Sequence, residues 1–153
     1  VRISAIMTRA ALTDRPDDDL AAAARKMWEQ QTGSLLVLEG EDLVGIITER
    51  DVLRAVATGT PLDTPVAEVM SKDLITVEPG TSLREAARIM TERWIRHLPV
   101  LEAGRLVGVV SQRDLAGVLA GALNEPEDLH RLIESSGLVR ERRLRRIEHG
   151  DLD

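Results

Sequence analysis

Sliding the chain along itself by 63 positions, so that Met70 falls on Met7, aligns two stretches without a gap. Met7/Met70, Thr13/Thr76, Pro16/Pro79, Leu20/Leu83, Ala23/Ala86, Ala24/Ala87, Met27/Met90, Val37/Val100 and Gly45/Gly108 coincide. Self-similarity at a fixed period, with no insertion, means one supersecondary unit written twice. The match is closest in a nonapeptide: LVGIITERD (Leu43–Asp51) returns as LVGVVSQRD (Leu106–Asp114), keeping Gly, a hydroxyl residue, Arg and Asp in place. A unit of roughly 50 residues buries too little surface to stand alone, so the copies are expected to pack together with pseudo-two-fold symmetry.

Each copy predicts β-α-β-β-α. A short extended piece (Ala11–Thr13, Leu74–Val77) runs to Pro16 or Pro79. Asp19 or Thr81/Ser82 then caps a helix. That helix carries apolar residues at Leu20, Ala23, Ala24 and Met27, and again at Leu83, Ala86, Ala87 and Met90. This is the i, i+3, i+4, i+7 spacing of one buried face. Two apolar runs about a Gly-containing turn follow, SLLVLEGEDLVGIIT and HLPVLEAGRLVGVVS, and predict a hairpin. A second helix is expected from Thr48 or Ser111. ATGTPLDTP (Ala57–Pro65) links the copies, giving repeats over 1–60 and 61–121 and an extension over 122–153.

Composition narrows the function. The 153 residues include no Cys, which excludes disulfides, thiol catalysis and Cys-ligated metals. No Phe or Tyr is present, and the only aromatic residues are Trp28 and Trp94, so no stacking platform for bases is expected. A net charge of −6 argues against general nucleic-acid affinity. No apolar run reaches the roughly 18–20 residues of a membrane span, and VRISAIMTRA lacks the apolar stretch of a signal peptide. A cytoplasmic protein is expected. His97, His130 and His149 have no metal-ligand spacing, and Asp17–Asp19 reads as a dipole-favoured helix start rather than a metal site. No phosphate-binding loop, dinucleotide fingerprint or nucleophile elbow occurs, so no enzyme is expected.

With AIMTRA…T, EVMSKDLITVEPGTSL, WIRHLPVLEAGRLVGVVSQRDL and TGSLLVLEGEDLVGIITERDV in this order, the chain resembles the CBS-domain family over about residues 1–121, as a tandem pair. The resemblance implies an α+β fold of two βαββα repeats, with the C-terminal extension as a helical tail. It also implies a non-catalytic regulatory or energy-sensing module that binds AMP, ADP, ATP or another adenosyl ligand between the repeats. No prosthetic group is expected, with Mg²⁺ as a companion of ATP. A disc-shaped homodimer and a regulated partner protein, not identifiable from sequence, complete the expectation.

The repeated quartets TERD and SQRD have two readings. Thr48 with Asp51, and Ser111 with Asp114, carry the spacing of a capping box. The same residues at a strand-to-helix junction offer N–H groups to phosphate and a carboxylate to ribose hydroxyls. Gly45 and Gly108 either permit close packing or make room for a base or sugar. The family pattern implies that the Asp of one repeat faces the early strand of the other. One site would comprise Ile46, Thr48 and Asp51 with Leu74, Ile75 and Thr76, its phosphates meeting Arg96, His97 and Arg113. The second would comprise Val109, Ser111 and Asp114 with Ala11, Leu12 and Thr13, meeting Ser34 and Arg50. The first is therefore expected to take the more phosphorylated ligand.

The tail, with five Arg and two Glu in LVRERRLRRIEHG (Leu138–Gly150), reads as a charged helix. Two other functions remain: a dimerisation scaffold with vestigial pockets, or a nucleic-acid-interacting regulator working through that tail.

Overall fold

The computed structural model describes residues 1–9 and 12–122. The Arg-rich extension and Ala11 lie outside the described residues, apart from the end of the last helix.

After a 3₁₀ turn at Ile3–Ala5, the first repeat runs β1 (Thr13–Asp14), α1 (Leu20–Gln30), β2 (Ser34–Glu39), β3 (Asp42–Thr48) and α2 (Glu49–Ala57). A short helix α3 (Val66–Val69) precedes α4 (Leu83–Arg93), β4 (His97–Glu102), β5 (Arg105–Ser111) and α5 (Gln112–Ala122). β1 pairs parallel to β2, and β2 antiparallel to β3; β4 and β5 form the second hairpin. The second repeat has no counterpart of β1 beyond a single parallel bridge, Val77 to Val100. β3 and β5 are in contact where the two repeats meet. No helix among the described residues is long and apolar enough to cross a membrane.

The expected caps form. Asp19 Oδ1 accepts from the Ala22 N–H at 2.7 Å, and Ser82 Oγ from the Glu85 N–H at 3.1 Å. Each satisfies a first-turn donor that the helix itself cannot. The periodic face is buried as its spacing requires, through Leu20, Ala23 and Met27 in α1 and Ala86 and Met90 in α4. Both hairpins bulge at the same place, after Val37 and after Val100, opposite Gly45 and Gly108. The second hairpin turns through Ala103 and Gly104, both with positive φ. That pair of left-handed residues matches the strand twist, and only the glycine adopts it without steric cost.

The repeats exchange their leading segments. Ile3 and Met7 belong to the second core, with Val77, Ala86, Met90, Leu98, Val100, Val110 and Leu115. Val66, reached only after the linker, belongs to the first, with Leu20, Ala23, Met27, Leu35, Val37, Ile47 and Ala55. Backbone hydrogen bonds repeat the exchange in both directions. Ile3 N donates to Thr81 O and Ser4 N to Pro79 O, while Val66 N donates to Asp18 O and Ala67 N to Pro16 O. Thr8 pairs with Val109 on β5, and Ser71 with Ile46 on β3. Each core thus draws a leading segment from the other sequence repeat.

The exchange explains the repeated glycine. A Cβ on Gly45 would lie 2.3 Å from Met70 Sδ; one on Gly108 would lie 2.9 Å from both Met7 Sδ and Thr8 O. Each glycine admits the methionine of the other repeat's leading segment, which takes the room that the sequence left open for a base or sugar.

Candidate functional site

Two cavities flank the seam between the repeats. One, of about 750 Å³, is lined by Ser111, Asp114, Val109, Leu12 and Ser34 among others. The other, of about 320 Å³, is lined by Thr48, Asp51, Ile46, Leu74 and Ile75 among others. Each combines the strand-to-helix junction of one repeat with the extended piece of the other. β2–β3 pairing sets Ser34 beside Thr48, and β4–β5 pairing sets His97 beside Ser111.

Both capping boxes are built. Asp51 Oδ2 accepts from the Thr48 N–H at 2.9 Å and from the Thr48 hydroxyl at 3.0 Å, while the Asp51 N–H donates to Thr48 Oγ1 at 3.3 Å. Asp114 Oδ2 accepts from the Ser111 N–H at 2.8 Å, and Ser111 Oγ accepts from the Asp114 N–H at 3.2 Å. One carboxylate oxygen of each Asp is therefore spent on its helix. The other oxygen of Asp51 lies 3.8 Å from Arg54.

The first-turn N–H groups are largely spent as well. Glu49 N donates to Gly33 O at 3.0 Å, and Gln112 N to Arg96 O at 2.8 Å. With Asp51 N and Asp114 N bound to hydroxyls, two of the three first-turn donors of each helix already have acceptors within the protein.

Several residues depart from their expected places. Arg113 lines the Asp114 cavity and Arg50 the Asp51 cavity, the reverse of the expected crossing. Each follows the first residue of its helix and stays on the side where that helix starts. Arg96 and His97 line both cavities instead of serving one. The expected phosphate preference of the Asp51 cavity loses its basis, since neither side monopolises the cations. Thr76 lines a separate hollow with Val77 and Glu78, and Thr13 an open depression beside Asp14 and Lys26. Alternation along an extended chain turns each away from its neighbour, Ile75 or Leu12.

Among the lining residues that escaped the sequence reading, Trp94 and Glu49 stand out. Trp94 lines the Asp51 cavity, so one aromatic ring does reach a candidate pocket. Glu49 lines both cavities. It is the Glu of TERD, matched to Gln112 of SQRD by the repeat, and that charge difference inside an otherwise matched quartet was the available cue. His97 is half-buried. Burial lowers its pKa from the ordinary 6.5; Arg96 and Arg113 push the same way, while Glu49 and Asp114 oppose. The net shift favours the neutral imidazole.

A profile of the CBS domain matches residues 3–58 and again 66–121, most of the chain. The chain belongs to the CBS-domain family. The CBS domain-containing protein YhcV of Bacillus subtilis is 39% identical over 111 residues, 72% of this chain and 79% of its own length. Among solved structures, the CBS-domain containing protein ATU1752 from Agrobacterium tumefaciens has a TM-score of 0.74 at 28% identity, covering 77% of this chain and 98% of that one. The CBS domain pair of protein MJ0100, in complex with 5′-methylthioadenosine and S-adenosyl-L-methionine, shares the fold. Its TM-score is 0.75 at 23% identity, over 80% of this chain and 98% of that one. The repeated motif residues of this chain fall at the junctions between strand and helix on either side of the seam.

Proposed function

We propose that this CBS pair is a non-catalytic regulatory module that binds adenosine-derived ligands between its repeats and converts occupancy into a conformational or assembly change. The observation that carries the reading is the pair of pseudo-symmetric cavities, each joining an Asp at a helix start to the extended piece of the other repeat. The carboxylate oxygen of each Asp not engaged by the cap is the acceptor for ribose hydroxyls. Aliphatic groups such as Leu74, Ile75 and Leu12 flank the base, and MJ0100 holds two adenosyl compounds in the same fold.

Calorimetric titration with AMP, ADP, ATP, S-adenosylmethionine and NADH tests this, on the wild type and on Asp51→Ala and Asp114→Ala. Each substitution should weaken binding in its own cavity by about 1.5–3 kcal/mol, the scale of hydrogen bonds to charged groups. The loss of the cap should lower stability by about 1 kcal/mol. Reduced stability with unaltered titrations would return the quartets to a purely structural role.

That second reading, a dimerisation scaffold, has an observation of its own. Trp28 is 77% exposed, Leu53 68% and Val56 60%, on the mutually packed helices α1 and α2. We assign this apolar face to a homodimer contact under either reading. Leu53→Glu with Val56→Glu, both at exposed positions, should give a folded monomer in sedimentation velocity. A wild type that sediments as a monomer removes the contact.

A further inference from the structure

Glu49 stands where the second repeat has Gln112, and this exchange is the one charge difference between TERD and SQRD. Both side chains line the Asp114 cavity, but Glu49 also lines the Asp51 cavity and the groove between α1 and α2. Its carboxylate lies over Gly33: a Cβ built on that glycine would be 3.3 Å from Glu49 Oε1 and 3.6 Å from His97 Nε2. Carboxylate and imidazole therefore converge on one point. Arg96 reaches both cavities beside them. These three residues make a wall common to the two cavities.

The charge of that wall decides what kind of ligand tail it accepts. Arg96 and Arg113 face Glu49 and Asp114 in one cavity, and Arg50, Arg54 and Arg96 face Glu49, Asp51 and Asp73 in the other, so the formal charges cancel in each, while burial favours the neutral form of His97. At the helix starts, the N–H groups of Glu49, Asp51, Gln112 and Asp114 already have acceptors within the protein. Glu49 thus offsets one cation in both cavities, and a polyphosphate tail reaching the wall from either side meets a lining with no net positive charge to hold it.

We infer that Glu49 is a specificity-determining residue, which turns both cavities against di- and triphosphate tails and limits the ligand to adenosyl compounds with at most one phosphate. The inference rests on the adenosyl-binding reading and narrows it to a chemical class.

The experiment is calorimetric titration of the full chain with adenosine, AMP and ATP at one ionic strength, for wild type, Glu49→Gln and Gln112→Glu. The wild type should bind AMP more tightly than ATP. Glu49→Gln should tighten ATP by about tenfold and leave adenosine within about twofold, as expected when one repulsive charge is removed. Gln112→Glu adds a second carboxylate to the Asp114 cavity and should weaken ATP further. It tests the charge argument independently of how well Glu49→Gln folds. A wild type that prefers ATP overturns the inference while leaving adenosyl binding in place, as does a Glu49→Gln variant that shifts adenosine and ATP equally. Failure of all three ligands to bind the wild type overturns the adenosyl reading itself, and the inference with it.

Discussion

Ile3→Ala is expected to destabilise the protein by about 2–5 kcal/mol, the range for emptying a large aliphatic site in a packed core, with the damage in the second repeat. Ile3 is 0% exposed and packs with Leu98, Val100 and Val110 of the second hairpin. Ile3 lies outside the regular strands and helices of either repeat, in a short 3₁₀ turn, and such a segment holds its place only if something ties it down. Here the tie is double: the apolar side chain fills the second core, and the backbone of Ile3 and Ser4 donates to Thr81 and Pro79. Hydrogen exchange localises the loss. Amides of β4 and β5 should lose protection in Ile3→Ala before those of β2 and β3. Val66→Ala should reverse the order, because Val66 sits in the first core. Equal loss in both hairpins, or loss confined to the first nine residues, would show that the exchanged segments do not support the cores they touch.

Gly108→Ala should cost about 1–3 kcal/mol, the scale of overpacking, and more than Gly45→Ala, although the nearest clash is shorter at Gly45. The difference lies in what has to move. The three atoms nearest to a Cβ on Gly45 all belong to the Met70 side chain, at 2.3, 2.8 and 2.9 Å. A methionine has three rotatable side-chain bonds and refits readily. A Cβ on Gly108 meets Met7 Sδ and also the carbonyl oxygen of Thr8, both at 2.9 Å. That backbone is held by reciprocal hydrogen bonds with Val109, at 2.8 and 3.0 Å, and cannot withdraw without losing them. Combining Met70→Ala with Gly45→Ala should recover most of the clash cost, whereas Met7→Ala should recover only part of it at Gly108. Thermal unfolding of the four variants decides the matter. A larger loss at Gly45 than at Gly108 would mean that side-chain plasticity is not what separates the two sites.

The architecture and both families of caps were legible because they are local. Asp19, Ser82 and the two quartets declare themselves within four residues, and the periodic faces within two helical turns. The exchange of leading segments was hidden by the repeat that revealed everything else. Ile3 matches Val66 and Met7 matches Met70, so each segment suits either core, and apolar pattern alone cannot assign it. The sequence left the two glycines open between close packing and room for a ligand, and the packing reading holds, but the side chain that fills their space comes from the other repeat. The crossing of Arg50 and Arg113 failed differently. It assumed that long basic side chains span the seam, whereas each lines the cavity at its own helix start. Glu49 went unnoticed because a surface acid at a helix start already has an adequate explanation in the helix dipole.

The exchanged segments also bear on the order in which the molecule comes together. During synthesis, residues 1–9 are made well before Leu98, Val100 and Val110, the hairpin residues that bury Ile3. The first hairpin can zip as soon as it is complete, but its core stays open until Val66 arrives. The leading segment must wait for the second hairpin. Closure over so long a sequence separation is entropically slow, so it belongs to the final stage of folding. The two repeats therefore mature together, each lacking a wall until the other is made.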